Sequence, residues 1–188
     1  TDGYGNVYPG AQIPFGGIQI SPDTDSRFYD AASGYKYNHL TLMGFSLTHL
    51  SGTGIPDLGD FLFIPGTGEM KLEPGTHEDP DQGYRSRYSH DKEWASPNYY
   101  AVELADYGVK AEMTSGVRSG MFRFIYPESD NAFIMIDMNH TLWQSCEWSN
   151  LRMINDSTIT GYKLVKGWGP ERHVYFTATF SKKLTGLR

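Results

Sequence analysis

A period of two dominates the second half of this chain. Tyr100, Val102 and Leu104 alternate with Ala101, Glu103 and Ala105, and after Asp106-Tyr107-Gly108 the pattern resumes as Val109, Ala111 and Met113 against Lys110, Glu112 and Thr114. The two runs predict a β-hairpin, with Gly108 supplying the positive φ of a short bulged turn. Further strands are expected at 117–126, ending at Pro127, and at 132–138, 158–166 and 172–181. In the last of these, Val174, Phe176, Ala178 and Phe180 would face a core while Tyr175, Thr177 and Thr179 face outward.

The first half is less regular. Residues 12–20 and 60–64 read as strands, and a long polar stretch at about 66–97, with Pro74, Gly75, Pro80 and Gly83, reads as an excursion between strands. There is no internal repeat, low-complexity tract or amphipathic helical pattern. Many short strands separated by turn signals predict an all-β fold, an antiparallel β-sandwich with long loops, built as one domain over 1–188.

Composition agrees. The chain has 188 residues, 14% of them aromatic, with 21 Gly and 10 Pro, a balance that favours strands over helices. Its 16 Lys and Arg against 22 Asp and Glu leave a net charge of −6 with no basic run, which argues against nucleic acid as a partner. No apolar stretch approaches the ~20 residues that span a membrane. No signal peptide is visible, since the chain opens inside a loop-like motif, so its compartment is not legible from the N-terminus. Cys146 is the only cysteine, which excludes an internal disulfide or a cysteine zinc cluster; a lone Cys is ordinarily a small buried hydrophobe rather than a nucleophile.

Two glycine-punctuated segments carry the candidate chemistry. One opens the chain, Thr1-Asp2-Gly3-Tyr4-Gly5-Asn6-Val7-Tyr8-Pro9-Gly10-Ala11; the other is Gly44-Phe45-Ser46-Leu47-Thr48-His49-Leu50-Ser51-Gly52-Thr53-Gly54, followed by Asp57-Leu58-Gly59-Asp60. Gly3-x-Gly5 and Gly52-x-Gly54 lack the Lys-Ser/Thr and the strand-to-helix context of a phosphate loop. Asp23, Asp25 and Asp30, or Asp57 and Asp60, could offer oxygens to a hard cation, but without EF-hand spacing, and turn aspartates usually cap backbone. The six histidines show no HExxH and no paired ligand spacing, so no metal site is assigned to this chain. Ser51 stands near His49 without a nucleophile elbow, and His49 reads more simply as a semi-buried histidine bonded to backbone. No pair of carboxylates stands out for glycosidic chemistry. Sugar binding fits better, because carbohydrates offer C–H faces to aromatic rings and hydroxyls to amides and carboxylates. Tyr4, Asn6 and Tyr8 supply such groups among glycines, and Trp94, Trp143, Trp148 and Trp168 are further platforms unless they belong to the core.

The motif strings go beyond spacing. Asn6-Val7-Tyr8-Pro9-Gly10-Ala11, Pro14-Phe15-Gly16, Gln19-Ile20-Ser21-Pro22-Asp23-Thr24, Gly34-Tyr35-x-Tyr37, the Gly44–Gly54 segment and Asp57-Leu58-Gly59-Asp60 resemble the start of glycoside hydrolase family 92. Ala95-Ser96-Pro97-x-Tyr99-Tyr100, Asp106-Tyr107-Gly108 and Val174-Tyr175-Phe176 with Phe180-Ser181-Lys182 continue the resemblance along nearly the whole chain. The family comprises calcium-dependent exo-acting α-mannosidases. The resemblance implies an N-terminal β-sandwich (a supersandwich) that packs on a larger C-terminal (α/α)6 barrel lying outside this chain.

It also implies that the general acid, the general base and most calcium ligands belong to that barrel, so no catalytic residue is expected here. The N-terminal domain of such an enzyme lends loop residues to the terminal-mannose pocket. Gly5, Asn6 and Tyr8 are the residues carried over, Tyr8 as an aromatic wall, with Tyr4, Trp94 and His49 as weaker candidates. Tyr4 and Tyr8 stand where many members carry His-like and Phe residues, and Leu47 where His is common, which touches fine substrate preference. The implied reaction is inverting single-displacement hydrolysis of terminal mannose, α-1,2-linked by preference, in a secreted or periplasmic enzyme acting on N-glycan-type mannosides. The alternative expectation is a free-standing carbohydrate-binding or scaffolding sandwich without catalytic role.

Overall fold

The computed structural model describes residues 5–27 and 30–185, and Tyr4 lies outside them. Thirteen strands are present among the described residues: β1 Ser21–Asp23, β2 Thr41–Leu42, β3 Gly44–Ser46, β4 Leu62–Thr67, β5 Ser86–Arg87, β6 Glu93–Ser96, β7 Tyr99–Leu104, β8 Val109–Ser115, β9 Gly120–Ile125, β10 Ala132–Asp137, β11 Ser145–Asn155, β12 Thr158–Lys166 and β13 Arg172–Thr179. Two short 3-10 turns, Pro80–Gln82 and His90–Lys92, interrupt the excursion. The fold is therefore all-β with long loops, as the alternation predicts.

All strand pairing is antiparallel and falls into four sheets, ordered β1-β3-β4-β10, β6-β7-β8-β9, β11-β12-β13 and β2-β5. The first two form the sandwich. Phe45 of β3 faces Phe124 of β9 at 6.4 Å between ring centres, and Phe63 of β4 faces Phe122 at 5.2 Å. Between them Ile20, Phe45, Tyr100, Val102, Leu104, Val109, Ala111 and Met113 are buried in one cluster. Each such large apolar side chain removed from water contributes about 1.5–3 kcal/mol. The third sheet packs on through Phe176, whose ring lies 4.5 Å from Phe61 and 5.8 Å from Phe63.

The predicted hairpin forms with Leu104 opposite Val109 and Gly108 at φ +62°. Val174, Phe176 and Ala178 point inward and Tyr175, Thr177 and Thr179 outward, as the alternation requires. Other expectations need correction. Residues 12–20 are not a strand: Pro14 and Gly16-Gly17 break the ladder, Phe15 sits fully exposed at φ +60°, and only an isolated bridge, Ala11 to Ile20, closes the loop. The 66–97 excursion contains β5 and β6. β11 goes unpredicted because bulges between Cys146 and Trp148 and between Met153 and Asn155 reset its period of two.

Candidate functional site

The two glycine-rich segments meet. The Asn6 carbonyl accepts from the Gly52 amide at 2.6 Å, and the Gly5 carbonyl accepts from the Ser33 amide at 2.9 Å and the Ser33 hydroxyl at 2.7 Å. Gly5 is at φ +56°, and a Cβ there would lie 2.3 Å from the Tyr35 carbonyl oxygen, so only glycine lets the opening loop lie against Gly34-Tyr35. Gly34 is equally constrained: a Cβ would stand 2.1 Å from the Asp23 carboxylate. The motif strings Gly5-Asn6, Gly34-Tyr35 and Gly52 thus act on one another through backbone approach.

Asn6 is exposed, and Tyr8 is half-buried against the main core. The Tyr8 ring leans on the His49 ring at 5.1 Å, its hydroxyl donates to the Gln12 side chain, and burial pushes its pKa up to about 12. His49 itself is fully buried. Its Nδ1 meets the Gln19 carbonyl at 2.7 Å and its Nε2 meets Asp23 Oδ1 at 2.8 Å. It lies beneath Tyr8 rather than beside it on the surface. Trp94 stands half-exposed on β6, with the Lys110 ammonium 5.6 Å from its ring centre. Gly5, Asn6, Tyr8 and His49 are thus brought together, whereas Trp94 belongs to another sheet.

A buried charged layer supports this surface. Asp23 Oδ2 lies 2.8 Å from His140 Nε2, so two imidazoles share one carboxylate. Burial alone would raise the Asp23 pKa, but His49 and His140 more than offset it and hold the carboxyl far below its usual range. Next to it, Asp60 receives Thr48 Oγ1 at 2.6 Å, the Lys163 ammonium at 3.1 Å and the Arg172 guanidinium. Lys163 also donates to the His140 carbonyl at 2.6 Å, joining the two charged groups. Asp57 caps the Leu58 and Trp168 amides at 2.7 and 2.9 Å. Lys163 and Arg172 come from β12 and β13, so the Asp57–Asp60 string clamps the third sheet to the loops under the site. Sequence reading missed His140, Lys163 and Arg172, whose partners are remote in the chain and carry no local signature.

Three of the five candidate cation ligands are bonded within the chain: Asp23, Asp57 and Asp60 have their oxygens taken by histidines, backbone amides and protein cations. Among the described residues, Asp25, His39 and His77 bring ligand atoms within 4.8 Å of one another, a convergence that sequence spacing hides. No helix among the described residues is long and apolar enough to cross a membrane.

Comparison with known proteins places this geometry in context. Residues 1–188 match the glycosyl hydrolase family 92 N-terminal domain. The chain is 99% identical to a family GH92 alpha-mannosidase from Bacteroides thetaiotaomicron solved in complex with mannoimidazole, with a TM-score of 0.95 over 98% of this chain and 24% of that one. A gh92 family glycosyl hydrolase, ccman5, is 26% identical with a TM-score of 0.74 over 93% of this chain and 24% of its own. An uncharacterized secreted glycosidase of Arthroderma benhamiae is 28% identical over 67% of this chain and 16% of its length. The chain therefore spans about a quarter or less of the relatives that it matches.

Proposed function

The chain belongs to the glycosyl hydrolase family 92 N-terminal domains, and from that premise we propose that it is the non-catalytic part of an exo-acting α-mannosidase, presenting its opening loop to the terminal mannose. The observation that carries this reading is the docking of the opening loop, Asn6 on Gly52 and Tyr8 on His49 of the second glycine segment, with Gly5 against Gly34-Tyr35. Backbone approach there leaves Asn6 exposed for sugar hydroxyls and braces the Tyr8 ring on His49 for stacking. A half-buried ring with its hydroxyl tethered to Gln12 is held still, which lowers the ordering cost of a sugar contact.

The acid and base of an inverting hydrolysis, which must flank the scissile bond, are assigned to the remainder of the polypeptide. So is calcium, in line with the commitment of Asp23, Asp57 and Asp60 to histidines, backbone amides and protein cations. Specificity for α-1,2 linkages, action on N-glycan mannosides and secretion are part of the same proposal; the similarity to a secreted glycosidase supports the last. The test is release of mannose from α-mannosides with calcium present. The full-length polypeptide should turn over and the 188-residue chain alone should not. Turnover by the chain alone would place the catalytic groups within it and overturn the assignment.

A further inference from the structure

Apart from the sugar-facing loop, Asp25, His39 and His77 converge from three separated loops, and Asp30 lies beside His39. His77 Nε2 lies 3.2 Å from Asp25 Oδ2, and His39 Nε2 lies 3.4 Å from Asp30 Oδ2. The two imidazole rings are 3.9 Å apart. Zinc–nitrogen and zinc–oxygen bonds of about 2.0–2.2 Å place neighbouring ligands of a tetrahedron about 3.3–3.6 Å apart; the Asp25–His77 separation is already close to that, and His39 lies within 4.8 Å of both. The remote nitrogens are held as well: His39 Nδ1 by Thr24 Oγ1 at 3.1 Å and His77 Nδ1 by Thr41 Oγ1 at 2.9 Å, the outer hydrogen bonds that orient metal-binding histidines. His77 lines an open cavity of about 420 Å³ with Leu40, Thr41 and Tyr88, which offers an entry path.

We propose that Asp25, His39 and His77 form a site for a borderline transition-metal ion of the zinc type, fastening the 71–83 loop to the loops that carry Asp25 and His39. Two imidazoles with one carboxylate favour zinc over calcium, which takes six to eight oxygens. Three protein ligands leave the fourth position of a tetrahedron to water. The groups facing it are Arg27, Lys36, Arg85 and Glu78. Arg27 reaches Asp25 at 2.6 Å and Asp30 at 3.2 Å, standing where the ion would bind, but its side chain is 64% exposed and can turn to water. Lys36 engages the other oxygen of Asp30 at 2.6 Å, and Arg85 lies 3.5 Å from His77 Nδ1. The ion displaces Arg27 alone.

The test adds one equivalent of Co²⁺, then Zn²⁺, to chelator-treated full-length protein and records visible absorption and zinc affinity. Wild type should show the intense visible bands of four-coordinate cobalt, bleached by zinc. His39→Gln and His77→Gln should each lose more than about 100-fold in zinc affinity, beyond the roughly 10–100-fold of an outer-shell change. Arg27→Gln should bind more tightly than wild type. In case the histidine variants misfold, wild type alone should show zinc protecting His39 and His77 from carbethoxylation. Absence of the cobalt bands, unchanged affinity in folded histidine variants, or no protection of these two rings overturns the site.

Discussion

Asp60 gives the most severe test of the charged layer beneath the site. Its carboxylate faces a lysine with no solvent exposure, and it also receives Arg172 and Thr48. Replacing Asp60 by Ala leaves the Lys163 ammonium buried without a counter-charge, whereas Arg172, with a side chain 26% exposed, can turn to water. Removing one partner of a buried pair costs about 3–5 kcal/mol. At about 1.4 kcal/mol per power of ten, amides of β12 and β13 should exchange roughly a hundredfold to several thousandfold faster in hydrogen-exchange mass spectrometry of the full-length protein. Lys163→Met should cost less, because Asp60 keeps two partners and the main loss is an unpaired His140 carbonyl, about 1–3 kcal/mol. Unchanged exchange in Asp60→Ala, or a larger effect from Lys163→Met, would refute the argument that the buried lysine depends on this one carboxylate.

Other expectations follow from the same geometry. Gly5→Ala combines a left-handed φ with contact at 2.3 Å to a backbone oxygen. It should lower the melting temperature and raise KM for a mannoside, while Gly52→Ala, at φ +78° with open space around it, should show only a strain cost of about 1–2 kcal/mol. Equal effects would remove the close-approach argument. The pH dependence has a definite sign. Asp23 and Asp60 are burdened by burial but held below their ordinary 3.8, Asp23 by His49 and His140 and Asp60 by Lys163 and Arg172. Their stabilisation is therefore fully present above about pH 4 and lost as pH falls through the lowered folded values. Asp23→Asn should flatten acid unfolding followed by near-ultraviolet circular dichroism in that window; an unchanged acid limb would contradict the pairing.

Strands with uninterrupted alternation were legible from sequence alone. The hairpin at Tyr99–Ser115 and the inward row Val174, Phe176 and Ala178 needed only the period of two. β11 was hidden because its two bulges shift the period, and residues 12–20 misled because Ile13 and Phe15, and then Ile18 and Ile20, are spaced by two across a loop that Pro14 and two glycines break. At the site, the glycine strings marked the loops that approach one another, since close backbone contact restricts residue type locally. The partners of Asp23 and Asp60 left no such trace. His140, Lys163 and Arg172 are ordinary residues on or beside strands, and only the packing of the third sheet brings them under the loop.

The claim that the opening loop forms part of the terminal-mannose pocket is tested most directly by calorimetric binding of mannoimidazole to the full-length protein, wild type against Tyr8→Ala. Loss of the stacking ring, worth about 0.5–1.5 kcal/mol for an aromatic contact, should weaken binding roughly twofold to tenfold with the fold intact. Affinity equal to that of wild type would place Tyr8, and the loop that carries it, outside the pocket.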